Sequence, residues 1–199
     1  MHLLLGSTQL DLTPRAAVVG LAQPSADLDD VVRQAVELRD AGADVVWIRR
    51  SAGAPVDEVV ARVAAAVRHP VGVDVVDHVD VEAVARAGAV LVGLDGHRPD
   101  DLAAAAEHGL SVYLDAAPGT GLGLDRSRLV VEGHLDDATA LHGCTVSGTG
   151  PRAWARVVLG LQAGVQVVRT VDVHAVRRVA TVSSQLLVAR EAAALGGGS

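Results

Sequence analysis

Gly42-Ala43-Asp44-Val45-Val46-Trp47-Ile48-Arg49-Arg50 is the stretch on which the fold turns. A glycine closes a helical segment, a short apolar run rich in β-branched residues follows, and charge ends it. Glycine suits the left-handed residue just past a helix end. An unbroken apolar run suits a strand buried on both faces, as in a parallel sheet. The same unit recurs as Gly88-Ala89-Val90-Leu91-Val92-Gly93-Leu94-Asp95, as Gly109-Leu110-Ser111-Val112-Tyr113-Leu114-Asp115, and as Gly164-Val165-Gln166-Val167-Val168-Arg169-Thr170-Val171-Asp172. Each copy places a polar residue at a strand's carboxyl end, where α/β folds carry their chemistry.

Working outward from this unit, residues 3–12 form two short runs about Gly6-Ser7, a predicted β-hairpin ahead of the main fold. Buried strands are then predicted over 16–22, 43–48, 71–76, 90–94, 111–114, 129–132, 144–147 and 165–171. Helices are predicted over 28–41, 56–68, 81–87, 99–108, 135–141, 152–163 and 174–195, the fourth opening on Pro99. The alternation fails at 117–126, where Pro118, Gly119, Gly121 and Gly123 predict a loop in place of a helix. Eight strands alternating with about seven helices describe a compact (β/α)8 TIM-type barrel. A doubly wound sheet is the alternative arrangement.

Composition bounds the function. The 199 residues make one domain, 1–199, large enough to bury a substantial core. Phe is absent and the aromatics are Trp47, Tyr113 and Trp154, so small aliphatic side chains must fill that core. A net charge of −7 speaks against a general nucleic-acid partner. Cys144, the single cysteine, excludes an internal disulfide and reads as a small core residue. Met1–Leu5 lacks a basic segment, and no apolar run is long enough to span a bilayer. A soluble cytoplasmic protein without a membrane partner is the expectation. All 17 basic residues are arginines, and the chain has neither Lys nor Asn. A Schiff-base lysine, a lysine phosphate clamp and an asparagine ligand are therefore excluded.

The order Leu5-Gly6, Leu10-Asp11-Leu12 and Val18-Val19-Gly20-Leu21 resembles the opening of dihydropteroate synthase. The segments Gly42-Ala43-Asp44, Pro70-Val71-Gly72-Val73-Asp74 and Val167-Val168-Arg169-Thr170-Val171-Asp172-Val173 continue the resemblance over nearly the whole chain, with shortened loops. It implies a (β/α)8 barrel that joins a pterin methyl pyrophosphate to 4-aminobenzoate and releases pyrophosphate with Mg²⁺ assistance. Residue by residue the carry-over divides. The pterin-reading aspartate after the third barrel strand matches Asp74, and the second pterin carboxylate, after the sixth, matches Glu132. The serine ending the seventh matches Ser147, and the arginine ending the eighth matches Arg169.

Other positions are lost. The asparagine for metal and pyrophosphate falls at Ala22 or Gln23, and the one after the fourth strand falls at Gly93. The lysine after the seventh-strand serine falls at Thr149, and the histidine beyond the arginine falls at Val171. Arg49-Arg50-Ser51-Ala52 replaces the Gly- and Thr-rich loop after the second strand, and the long Gly-Phe-Gly-Lys loop is missing. A carboxylate suits the adjacent N–H donors of an aminopyrimidine edge, and two acidic positions survive. Pyrophosphate departure needs donors and positive charge where charge develops, and one such donor is worth about 10²–10³ in rate.

The resemblance thus implies a pterin-like heterocycle pocket with little or no condensing activity, and a Mg²⁺ site without its asparagine. Arg49 and Arg50 either supply replacement charge or pair elsewhere, for example with Asp44. Gly148-Thr149-Gly150 before a helix either cradles an anion or forms only a cap. Two further readings stay open. Asp74, Asp95, Asp115 and Glu132 at strand tips, with His78, His97 and His134 nearby, could hold a metal for hydrolase or lyase chemistry. A catalytically silent barrel, acting as a regulatory partner or as a homodimer, is the other.

Overall fold

The computed structural model describes residues 1–13, 15–49, 54–75, 78–94, 99–115, 124–133 and 140–196. The chain opens on an antiparallel hairpin, β1 (His2–Leu5) and β2 (Thr8–Asp11), in which Leu3 pairs with Leu10. Eight parallel strands follow and close on themselves. They are β3 (Ala17–Ala22), β4 (Val45–Ile48), β5 (Val71–Val75), β6 (Leu91–Leu94), β7 (Ser111–Leu114), β8 (Leu129–Glu132), β9 (Leu141–Val146) and β10 (Val167–Thr170). Neighbours pair in sequence order, and β10 returns to β3 with Val168 opposite Val18. The outer layer is built from α1 (Leu28–Asp40), α2 (Val56–Val67), α3 (His78–Arg86), α4 (Pro99–Glu107), α5 (Pro151–Gln162) and α6 (Val173–Gly196). This is the (β/α)8 barrel with an N-terminal hairpin that the repeated unit implies. Among the described residues no helix is long and apolar enough to cross a membrane.

Local chemistry sets the boundaries. Asp27 caps α1 by accepting from the Asp29 N–H at 2.9 Å, and two acids in the first turn complement the helix dipole. The repeat glycines 42, 88, 109 and 164 all adopt positive φ, between 66° and 103°, where a Cβ would be strained. At the end of α2 the repeat has no glycine, and Arg68 takes the left-handed cap itself at φ 48°. Between β7 and β8 the described residues form a short 3₁₀ turn, Arg126–Arg128, while 116–123, the heart of the predicted loop, lie outside the described residues.

One boundary departs from expectation. Leu141 does not end a short helix; it opens β9, where it pairs with Val130 and turns its side chain into the barrel. His142-Gly143 interrupts the apolar run, which is why the strand reads short in sequence. The remainder of that predicted helix, 135–139, and His134 beside it lie outside the described residues.

The pleat divides the core in two. Outward side chains such as Val46, Val73 and Val92 meet the helices. Inward ones form a separate column, in which Leu3, Leu5 and Leu12 of the hairpin segment pack with Ala17, Val45, Leu91, Leu141 and Val167. The hairpin therefore closes the amino end of the barrel. Ser111 Oγ donates to the Leu4 carbonyl and Arg128 to that of Gly6 at 3.4 Å, tying the plug in place. Chemistry is left to the carboxyl end.

Candidate functional site at the carboxyl mouth of the barrel

Above the aliphatic plug the interior holds two large rings. Trp47 of β4 is fully buried and Tyr113 of β7 nearly so, packed edge to face with centres 5.8 Å apart. Glycines on neighbouring strands make room for them. A Cβ on Gly72 would lie 2.6 Å from the indole, one on Gly93 2.6 Å from it, and one on Gly143 2.7 Å from the Tyr113 hydroxyl. In a chain so poor in aromatics, these three glycines are sockets.

Four polar side chains crown the rings. Arg169 of β10 lies over both, its guanidinium carbon 4.8 Å from the Trp47 ring centre and 4.3 Å from that of Tyr113. It is 8% exposed; its nearest ionic partner is Asp115, a loose 3.9 Å away and itself largely exposed, and its Nε has no hydrogen-bond partner among the described residues. Asp74 of β5 meets the indole at the gap left by Gly93, where a Cβ would sit 2.7 Å from its Oδ1. Burial raises the Asp74 carboxyl above the ordinary carboxylate value, against the opposing pull of Arg169, Trp47 and Arg49.

Glu132 of β8 is differently placed. Its Oε1 accepts from the Thr145 N–H at 3.0 Å, and its Oε2 accepts from Thr145 Oγ1 at 2.8 Å and from the Tyr113 hydroxyl at 3.0 Å. Burial, with the Glu132 charge second, raises the Tyr113 phenol, which stays protonated and donating. Burial likewise pushes the Cys144 thiol up to about 11, so it is no thiolate at neutral pH.

The expected site residues are thus brought together in part. Asp74 and Arg169 share the mouth, Arg49 stands half-buried near enough to act on Asp74, and Glu132 stands against Tyr113. Ser147 sits exposed just beyond β9, while Thr145, two residues earlier on the same face, does the bonding. Gly148 is exposed, and Gly150 takes φ 85° as the N-cap of α5, a helix with no side-chain cap and no acid in its first turn. Arg50 lies outside the described residues. The pairing of Arg49 with Asp44 finds no support in the fold. Asp44 stands at the opposite end of β4, held by Arg15 at 3.2 Å, by Arg177 and by the Val18 N–H at 2.8 Å.

Asp172, three residues beyond Arg169, accepts from the Ala175 N–H at the start of α6 and from the Trp154 indole N–H at 3.4 Å. Sequence reasoning passed over Trp47, Tyr113 and Thr145 as site residues; the usable signal was an aromatic facing glycines one or two strands along.

For a metal the residues fit poorly. Among the described residues no group of three His, Cys, Asp or Glu side chains could hold an ion. Asp95, His97 and His134 lie outside the described residues. At the position implied for Mg²⁺, Ala22 is buried in β3 and Gln23 is exposed, its N–H given to Gln34 at 2.7 Å.

No protein-family model matches the chain, and no curated protein matches it by sequence. Solved structures do. The Yersinia pestis dihydropteroate synthase superposes with a TM-score of 0.77 at 20% identity, covering 94% of this chain and 99% of that one. A Xanthomonas albilineans dihydropteroate synthase, solved with 4-aminobenzoic acid, gives 0.78 at 19% identity over 94% and 98% of the two chains. The 7,8-dihydropteroate synthase of Vibrio fischeri gives 0.76 at 15% over 94% and 98%. At these identities the likeness speaks for architecture: from its N-terminal hairpin to its last helix, the chain has the fold of the dihydropteroate synthases.

Proposed function

We propose that the carboxyl mouth of this barrel binds a planar, N–H-rich heterocycle of the pterin class, and that the chain does not condense it with 4-aminobenzoate at an appreciable rate. A cytoplasmic setting belongs to the same reading. The observation that carries it is the under-satisfied pair at the mouth. Arg169 is buried over two rings with its Nε unpaired among the described residues and its ionic partner Asp115 a loose 3.9 Å away, and Asp74 is a half-buried carboxylate set against the Trp47 indole within its field. Buried charges left without close partners are costly, and a ligand offering N–H donors to one and a π-face or anionic group to the other removes that cost. Proteins of the same fold bind such molecules: the Yersinia pestis dihydropteroate synthase a pterine-sulfa conjugate, and that of Xanthomonas albilineans 7,8-dihydropteroate.

The second half of the proposal rests on absent groups. With no Lys and no Asn in the chain, developing pyrophosphate charge would fall to Arg169, to Arg49 and Arg50, and to the backbone N–H groups about Gly148–Gly150. Pyrophosphate should then add little to binding. Calorimetry with a pterin alcohol and its pyrophosphate is expected to give affinities within about tenfold, or about 1.4 kcal/mol. Asp74→Asn should weaken both, since an amide cannot accept from two adjacent donors as a carboxylate does. Binding of neither compound at millimolar concentration overturns the heterocycle reading in favour of a silent barrel. Robust 7,8-dihydropteroate formation by pure protein overturns the claim of lost condensation and points to Arg49 or Arg50.

A further inference from the structure

Trp47 is held by shape more than by polar contact. Its indole N–H is fully buried and makes no well-formed hydrogen bond among the described residues; the Asp74 carboxylate is near enough to feel it without being aligned as an acceptor. Gly72 and Gly93, on two successive strands, each withhold the one atom that would collide with its ring. The ring has Asp74 at the Gly93 gap, the Arg169 guanidinium over its face and the edge contact of Tyr113. A carboxylate beside a bicyclic N–H aromatic, with a guanidinium stacked on it, is the contact set that would recognise a free heteroaromatic ring of that size. Here the chain supplies the ring.

We propose that Trp47 is an internal ligand: its indole fills the inner part of the heterocycle site and is the residue that sets what the site admits. The inference builds on the heterocycle reading but is separable from it. With the indole in place, a bicyclic ligand is kept out of the barrel interior and out of full register with Asp74. Without it, the socket formed by Gly72, Gly93, Asp74, Tyr113 and Arg169 stands open: a ring-sized space with an aromatic wall, a carboxylate for N–H donors and a guanidinium to stack on, and a cavity left by deleting a buried ring takes up ring-shaped ligands.

The test compares wild-type protein with Trp47→Ala and Trp47→Leu, using free indole and 6-hydroxymethylpterin as probes. Val46→Ala, an outward-facing neighbour, controls for general loosening. Both Trp47 variants should bind the pterin at least about tenfold more tightly than wild type. Indole should raise their melting temperatures in a concentration-dependent way while leaving wild type and Val46→Ala unchanged. If Trp47→Ala does not fold, Trp47→Leu, which retains much of the apolar volume, carries the comparison. Wild type and a folded Trp47 variant binding the pterin equally well would overturn the internal-ligand inference and leave the heterocycle reading standing. A variant that gains indole, while no protein binds the pterin, would uphold the inference and remove the heterocycle reading. A folded variant that takes up neither probe, or a gain shared by Val46→Ala, would overturn the inference.

Discussion

The Arg169 guanidinium lies over the Trp47 indole with its carbon 4.8 Å from the ring centre, and both side chains are buried. Arg169 lies one residue before the end of the last barrel strand and Trp47 sits in the second, so the contact crosses the barrel interior. A cation over a desolvated aromatic face is attracted by about 2 kcal/mol or more, a fraction of what burying the charge costs. The stack orients the guanidinium without satisfying its donors. That is how the residue can be fixed in place and still have hydrogen bonds to give.

Asp74 ties stability to pH. Burial raises its carboxyl above the ordinary value of 3.8, so the folded chain holds this proton more tightly than the unfolded one. Stability from this group is present at acid pH and is lost as pH rises from the ordinary value through the raised one. Asp74→Asn should therefore be more stable than wild type at pH 7, with the advantage disappearing near pH 3.8. Ligand affinity should run the other way and weaken as pH falls and the carboxylate protonates. Urea titrations and calorimetry across pH 3–8 check both slopes; a variant less stable than wild type at pH 7 would mean that Arg169 and Arg49 outweigh burial.

Glu132 is expected to matter for folding more than for ligand. Its two oxygens accept from Thr145 twice and from Tyr113 once, joining three neighbouring strands at the mouth. Glu132→Gln replaces a charged acceptor by an amide and should cost about 1.5–3 kcal/mol in urea unfolding. Affinity for a pterin alcohol should stay within about threefold. A tenfold loss of affinity without loss of stability would move Glu132 into the ligand site.

The barrel was legible because one unit, glycine then buried strand then polar tip, recurs four times and cannot be satisfied by an open, half-exposed sheet. Asp74 and Arg169 were legible for the same reason, as charges at buried strand tips. The three-dimensional arrangement of the mouth was less so. Whether Trp47 points inward depends on the phase of the pleat, and Gly72 and Gly93 look in sequence like weak strand positions instead of sockets. Thr145 was hidden by a one-turn bias toward Ser147 at the strand's end. Asp44 drew attention as a partner for its neighbours Arg49 and Arg50, yet it bonds Arg177, 133 residues away. Long-range pairing of that kind leaves no local pattern.

Asp44 should be the most sensitive surface-adjacent position. Its carboxylate is 9% exposed and joins β3, β4 and α6 through Val18, Arg15 and Arg177. Asp44→Ala removes the shared acceptor and leaves Arg177 largely buried, for a cost of about 3–5 kcal/mol. Arg15 is half exposed, so Arg15→Ala should cost under about 1 kcal/mol. Thermal or urea unfolding of the two variants checks the order; equal losses would show that the Arg15 pair, and not the buried side of the cluster, carries the energy.

Gly72 and Gly93 should prove to be coupled to Trp47. Neither has a positive φ, so alanine meets no backbone penalty there and would gain about 0.4–1 kcal/mol through the unfolded state if space allowed. Space does not allow it. The new Cβ would lie 2.6 Å from the indole in either case, and at Gly93 also 2.7 Å from the Asp74 carboxylate. Overpacking of this degree costs about 1–3 kcal/mol, so Gly72→Ala and Gly93→Ala should each destabilise wild type. In a Trp47→Leu background the ring is gone, so Gly72→Ala should be neutral or favourable and Gly93→Ala, which still meets Asp74, should cost less than in wild type. That gives a coupling energy of about 0.5–3 kcal/mol in a double-mutant cycle. For the same reason Gly93→Asn should not confer condensing activity, because the amide has no room beside Trp47. If the alanine substitutions cost the same in both backgrounds, the two glycines answer to the backbone alone, and the socket for the indole is not what they are there to provide.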